Sequence, residues 1–238
     1  MKEKVAVIGA GNMGTVVGKQ LPDTVEKLII DIDEEKAKTC AEEIGAAFSS
    51  SLADVGDCDI VAMVVPGPVV EKIVPVLTVH MKKDAILMNM ATNAMIDDLQ
   101  TERYSQIKII DCKIIGNALA ISSGNAPSCV VVNTQDEEVF CSIKKILPGY
   151  TLVIQGNSNL VTELNAIGTK EALRCGLIIL HQLEKYHLRE ETKRILLYTV
   201  AGGTLQSMAD GKLGGNSIRL LKELKEEGAL PFDFEIPK

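Results

Sequence analysis

The 238-residue chain is 46% hydrophobic and 24% charged, ordinary values for a globular protein able to bury a full core. Its net charge of −7 and 3% aromatic content, with no Trp, exclude the basic face and stacking rings expected of a nucleic-acid binder. No apolar run approaches the length that crosses a bilayer, so a membrane is not an expected partner either.

The chain opens with a strand, Lys4–Ile8, and a helix over Asn12–Gln20. Further strands are predicted at Lys27–Asp31, Ala46–Phe48, Ile60–Val65, Ile86–Met90, Lys108–Asp111 and Ser128–Val132. Helical patterns fall between them at Glu34–Ile44, Val69–His80 and Asp136–Ile146. Most of the strands are apolar throughout, as strands covered on both faces should be. Strand–helix repetition of this kind predicts an α/β fold with a parallel sheet.

After about Gln155 the pattern becomes all helical. Residues 156–188 read as one long helix entered through Asn and Ser capping candidates, 189–211 as a second and 214–229 as a third. The tail "LPFDFEIPK" reads as an extended end. The expected domains are therefore 1–155, carrying the sheet, and 156–238, a smaller helical domain. Leu173, Leu177, Ile178, Ile179, Leu180 and Leu183 cover most of one helix, and Ile195, Leu196, Leu197 and Val200 do the same on the next. Helices apolar on nearly all sides need partners on nearly all sides, which predicts a homodimer built through this region. Gly202-Gly203 within a helix costs about 1 kcal/mol per Gly relative to Ala, for which close backbone packing would compensate.

The six cysteines form no CxxC pair and do not cluster with the three histidines, so no disulfide framework or metal site is expected. "MKEKVAVIG" enters a strand at once, without signal-peptide character, and the expected location is a reducing cytoplasm. His80, His181 and His187 read as surface or interface residues. Met63, Met88 and Met90 read as core filler. Asp97-Asp98 reads as the acidic start of a helix.

Gly9, Gly11 and Gly14 satisfy GxGxxG between a strand and a helix, with a second strand ending in "LIIDID". The first glycine suits a tight turn, the second lets backbone approach a pyrophosphate, and the third lets helix and strand pack closely. This context predicts a Rossmann-type dinucleotide site, with phosphates at the helix N-terminus beside Asn12 and Met13. Asp31 closes the second strand, where a carboxylate accepts ribose hydroxyls and repels a 2′-phosphate. With no Arg nearby, NAD is the expected cofactor, NADP being possible through Lys36 or Lys38. Asp31 or Asp33 could alternatively cap the helix from Glu34, or the two could divide these roles. "VVPGP" places Val65 and Pro66 beside the cofactor's ribose and nicotinamide, and "NMATN" (Asn89–Asn93) should line the same crevice.

Gly215, Asn216 and Ser217 open the last helix, where free N–H groups suit a substrate carboxylate and the Ser217 hydroxyl a substrate nitrogen. Asn216 or Ser217 as a plain N-cap competes with that role. Lys170 is either a base or substrate ligand, or a solvated helix lysine.

"VAVIGAGNMG", then "DIVAMVVP", then an all-helical C-terminal part resembles the pyrroline-5-carboxylate reductase family, within the 6-phosphogluconate dehydrogenase C-terminal-like superfamily. The resemblance implies NAD(P)H-dependent reduction of a cyclic imine and interlocked helical domains in a dimer. "IIGNAL" falls where that family carries Pro-Asn-Thr-Pro, which implies a substrate role for Asn117. "LGGNSIRLLKEL" is similar to its Gly-Gly-x-Thr-Ile stretch, with Ser217 in place of the Thr that faces the imine. "ELNAIGTKEAL" departs from the family by placing charges where small residues belong. "DCKIIGNALAISSGNAPSCVVV" looks like the substrate-loop segment of β-hydroxyacid dehydrogenases; their catalytic Lys aligns with Glu163, with Lys170 two turns on. Three functions stay open: an imine reductase using Ser217, a hydroxyacid dehydrogenase using Lys170, and a non-catalytic dinucleotide-binding relative.

Overall fold

The computed structural model describes residues 2–94, 104, 106–124, 126–230 and 232. The chain divides into two units, Met1–Ile167 and Gly168–Lys238. Asp97-Asp98 and the tail from 233 onward lie outside the described residues.

The first unit is built on a sheet of strands β1 (Lys4–Ile8), β2 (Glu26–Ile30), β3 (Ala47–Ser49), β4 (Ile60–Met63), β5 (Ile86–Asn89), β6 (Lys108–Ile115), β7 (Cys129–Val132) and β8 (Leu152–Gln155). Their order is β3-β2-β1-β4-β5-β6-β7-β8. Helices α1 (Asn12–Gln20), α2 (Glu34–Ile44), α3 (Gly67–His80), α4 (Ala118–Ser122) and α5 (Glu137–Ile146) connect them. Successive strand residues point to opposite faces. Val5 and Val7 thus join one core with Val16 and Val17 of α1, Cys40 of α2 and Ile143 of α5. Ala6 and Ile8 join the other with Val70, Val74 and Leu77 of α3. Each of the Val, Leu and Ile side chains contributes about 1.5–3 kcal/mol on burial. Met63, Met88 and Met90 are buried in these cores, as their strand positions predict.

The parallel sheet holds from β3 to β6, and β6 then pairs with β7 antiparallel. A parallel return needs a crossover of a dozen or more residues, usually a full helix. Between Ile115 and Cys129 the five-residue α4 stands where a full crossover helix would be, and β7 pairs with β6 running the other way. β8 pairs parallel to β7 across α5. Both α4 and β8 go beyond the predicted elements, and β6 runs four residues past Asp111.

The second unit holds the end of α6 (Asn159–Leu183), then α7 (Glu190–Ile195), a π turn over Leu196–Ala201, α8 (Gly202–Ala209) and α9 (Gly215–Glu226). α6 is entered at Asn157, whose side chain accepts the Asn159 N–H at 3.0 Å. None of the described residues beyond Val161 is buried. Leu177 is 67% exposed, Tyr198 62% and Leu205 53%, and Gly203 has no protein atom near its Cβ position. Among the described residues no helix is long and apolar enough to cross a membrane.

Candidate functional site

The three motif glycines have three different surroundings. Gly9 sits at φ +103°, and a Cβ there would fall 2.3 Å from the Val64 carbonyl oxygen. Both facts demand glycine, because an L side chain is strained at that φ and has no room. A Cβ on Gly14 would lie 1.7 Å from the Gly9 carbonyl oxygen, so α1 closes directly on the turn. A Cβ on Gly11 would meet nothing within 4 Å. The fold needs Gly9 and Gly14; it does not need Gly11, whose empty space suits a group brought from outside.

That space lies at the start of α1. Gly11 is the N-cap and makes no side-chain capping bond, and the first turn carries no acidic residue. The N–H groups of the first turn, from Asn12 and Met13 onward, therefore combine with the helix dipole in a form suited to an anion. Gly11 and Asn12 are exposed and Met13 is half-buried.

Asp31 stands across the turn, just beyond β2. Its Oδ2 accepts the Ala10 N–H at 2.7 Å, and its Oδ1 accepts the Asp33 N–H at 3.0 Å. Each carboxylate oxygen keeps a second lone pair for a further donor. Asp33 caps α2 by accepting from Lys36 N at 3.2 Å, so the cap falls to Asp33 and not to Asp31. Lys36 pairs with Asp33 at 3.1 Å and holds that carboxyl below the usual carboxylate range. Ile32, between the aspartates, is 97% exposed and offers an apolar platform. Beside it Ala10, Thr15, Asp33, Lys36, Thr39 and Cys40 line a cavity of 310 Å³.

On the other side of the turn, a Cβ on Gly9 would come 3.2 Å from Val65 Cγ1, so the "VVPGP" segment abuts the glycines. Pro66 is exposed and caps α3. A Cβ on Gly67 would lie 3.1 Å from the Asn93 backbone, which brings the β5 segment to the same edge. Gly9, Gly11, Asn12, Met13, Gly14, Asp31, Val65 and Pro66 thus form one continuous rim at the carboxyl ends of the strands, where open parallel sheets bind ligands.

Asn117 caps α4, its side chain accepting from Leu119 N at 3.0 Å and Ala120 N at 3.4 Å. An Asn117→Ala variant is expected to lose about 1 kcal/mol of stability, read from urea denaturation. Lys170 lies on α6 and is exposed. Gly215, Asn216 and Ser217 form the first turn of α9, whose N-cap is Gly214 without a side-chain bond. The expectation that Asn216 or Ser217 caps this helix is corrected: both lie inside it, because the glycine before them supplies the extended cap conformation. Asn216 instead accepts from Arg219 Nη2 at 3.0 Å. Lys170, Gly215, Asn216 and Ser217 belong to the second unit, apart from Ser217 they are exposed, and Ser217 is half-buried.

One polar group was not foreseen. Asn89, Asp111 and Lys113 are buried beneath the segment 91–94. The signal was present: two charged residues at i and i+2 within "KIIDCKII" must share a strand face.

Residues 4–155 match the model of a family described as the NAD binding domain of 6-phosphogluconate dehydrogenase. The chain belongs to this family. It is an NAD(P)-binding oxidoreductase domain with a mostly parallel sheet, followed by C-terminal helices. No curated protein matches it. Among solved structures, a pyrroline-5-carboxylate reductase from Coxiella burnetii aligns with a TM-score of 0.69 at 14% identity, over 94% of this chain and 85% of that one. A 3-hydroxyisobutyrate dehydrogenase from Mycobacterium tuberculosis aligns with a TM-score of 0.59 at 14% identity, over 94% and 71%. An imine reductase variant from Myxococcus stipitatus, in complex with NAD+, aligns with a TM-score of 0.62 at 17% identity, over 88% and 74%. At these identities the likeness is one of fold.

Proposed function

We propose that this NAD(P)-binding protein is a reductase of a small carbon–nitrogen double bond such as that of pyrroline-5-carboxylate, with NAD its preferred cofactor. The observation that carries the cofactor half is the contrast among the three motif glycines: of these, Gly11 is the one where a Cβ would meet neither a clash nor a strained φ. The reduced nicotinamide, when bound, supplies the hydride, and the chain's part is to bind, orient and neutralise charge. The first turn of α1 holds the phosphates and Asp31 the adenosine ribose. Val65 and Pro66 flank the nicotinamide half.

The substrate half is supported by Gly215, Asn216 and Ser217, where uncapped N–H groups suit a carboxylate and the Ser217 hydroxyl suits an imine nitrogen. The pyrroline-5-carboxylate reductase and the imine reductase among the structural neighbours add to this reading. The test is oxidation of NADH by the purified protein with pyrroline-5-carboxylate, with NADPH run in parallel. Turnover with NADH preferred supports the reading. Turnover only of NAD+ with a small hydroxyacid, lost in Lys170→Ala, replaces it with a hydroxyacid dehydrogenase. Binding of NADH without turnover of either substrate leaves a non-catalytic relative.

Cofactor choice follows from the charge at Asp31. Losing one charge-assisted hydrogen bond to ribose is worth about 1.5–3 kcal/mol, so Asp31→Asn should raise the NADH dissociation constant roughly tenfold or more. The same change removes the repulsion of a 2′-phosphate, so the NADH-to-NADPH affinity ratio should fall, as titration of intrinsic NADH and NADPH fluorescence would measure.

A second copy of the chain is proposed to cover the helices of the second unit. A helical segment that buries none of its described side chains, while exposing Leu177, Ile178, Tyr198 and Leu205, lacks a core of its own. Sedimentation equilibrium should give twice the mass of 25.7 kDa, and Leu177→Glu should shift it toward the monomer.

A further inference from the structure

We propose that Asn89, Asp111 and Lys113 form a buried clamp that presets segment 91–94 for the nicotinamide half of the cofactor, with Lys113 as a positioning residue. The inference rests on the dinucleotide reading above. It starts from the sheet register. Asn89 on β5 stands opposite Asp111 on β6, and Lys113 lies two residues further along the same face. That face is the one packed by α3, where its strand neighbours Leu87 and Ile109 are apolar.

An ammonium has three N–H donors and no acceptor. The Lys113 ammonium reaches three acceptors: Ala91 O at 2.5 Å, Ala94 O at 2.6 Å and Asp111 Oδ1 at 3.0 Å. Its donors are fully engaged and its charge is matched, so it is not a reagent waiting for a proton. Asn89 completes the arrangement. Its Nδ2 donates to Ala94 O at 2.9 Å and Asp111 Oδ1 at 2.7 Å, and its Oδ1 accepts the Ala91 N–H at 3.2 Å. Ala91 and Ala94 are thus each held twice from beneath.

Burying such a network is costly, and an apolar residue would fill the strand position as well. What an apolar residue could not do is hold those two carbonyls. Between the held points, Thr92 and Asn93 are exposed. Thr92 O accepts from Thr162 Oγ1 at 2.5 Å, and the Asn93 backbone rests against Gly67. The segment is fixed at both ends and pinned at its crest. It stands at the carboxyl end of β5, on the β4 side of the glycine turn, whereas Asp31 stands on the β2 side. A ligand crossing the strand ends would meet Asp31 with one half and segment 91–94 with the other. Lys113 therefore acts through the segment, by pre-organisation, on one half of the cofactor only.

The test compares NADH with ADP-ribose, which lacks the nicotinamide ring. Lys113→Met/Asp111→Asn removes the Lys113 bonds to Ala91 O and Ala94 O without leaving a buried charge. Calorimetric titration should give an ADP-ribose dissociation constant within about twofold of the parent and an NADH dissociation constant weaker by about tenfold. Amide exchange at Thr92 and Asn93 should rise in the same variant. Asn89→Ala, which keeps the Lys113–Asp111 pair, should move NADH in the same direction by about threefold and serves where the double variant does not fold. Equal losses for the two ligands, or no loss for either, overturn the clamp. A parent protein that binds neither ligand overturns the dinucleotide reading, and unchanged exchange at Thr92 and Asn93 then overturns the clamp separately.

Discussion

Replacing Gly11 with alanine is expected to leave the melting temperature unchanged and to abolish measurable NADH binding. The two halves of this result have separate causes. A Cβ at Gly11 meets no protein atom within 4 Å, and Gly11 has an ordinary extended conformation at φ −78° and ψ −177°. The folded state therefore gains no clash and no strain. The space the methyl would take is the approach to the first turn of α1, where phosphates need direct contact with backbone N–H groups. Gly14→Ala is the matched control. Its Cβ would lie 1.7 Å from the Gly9 carbonyl oxygen, and two backbone segments cannot separate without lifting α1 from the sheet. That variant should lose more than about 3 kcal/mol, at the upper end of overpacking costs, and with it much of its soluble yield. Differential scanning calorimetry and NADH fluorescence on the two proteins check both claims. Equal destabilisation of both would sink the assignment of Gly11 to the ligand.

Lys113→Met alone should be the most damaging single change in the strands. Its side chain is 0% exposed and Asp111 is 4% exposed, so the variant takes the Lys113 ammonium away from a buried carboxylate. Breaking a buried pair from one side costs about 3–5 kcal/mol, against a total stability of about 5–15 kcal/mol. Desolvation pushes the Lys113 ammonium below the ordinary lysine value, and Asp111 opposes that push, so the charged form depends on its partner. The neutral double variant Lys113→Met/Asp111→Asn should recover most of the loss, because replacing both charges removes the desolvation penalty along with the attraction. Urea denaturation of the two proteins measures the difference. A single variant as stable as the double would mean that the other contacts of Asp111 suffice to hold its charge or that it takes up a proton.

Much of this molecule is legible in its sequence because the relevant physics is local. Helices α1 and α2 begin and end where the pattern predicts, since glycines, an aspartate cap and apolar spacing act within a few residues. GxGxxG identifies a dinucleotide turn because one strand, one turn and one helix suffice to build it. Asp31 and Asp33 were ambiguous, as either could cap α2. The register of β2 against the glycine turn decides between them by placing Asp31 under Ala10 N.

What the sequence determined by itself is the class of protein: a dinucleotide-binding α/β sheet followed by apolar helices. Three things were decided only by tertiary structure. The reversal at β7 shows only in the antiparallel register of β7 against β6. The separation of Gly11 from Gly9 and Gly14 depends on which atoms from the segment after β4 and from the turn approach each Cβ position. The buried clamp joins residues up to 24 positions apart in sequence, from Asn89 to Lys113, and only the β5–β6 register brings their side chains to one face. Sequence patterns report which residues want to be buried. Pairing across strands decides which polar groups can afford to be.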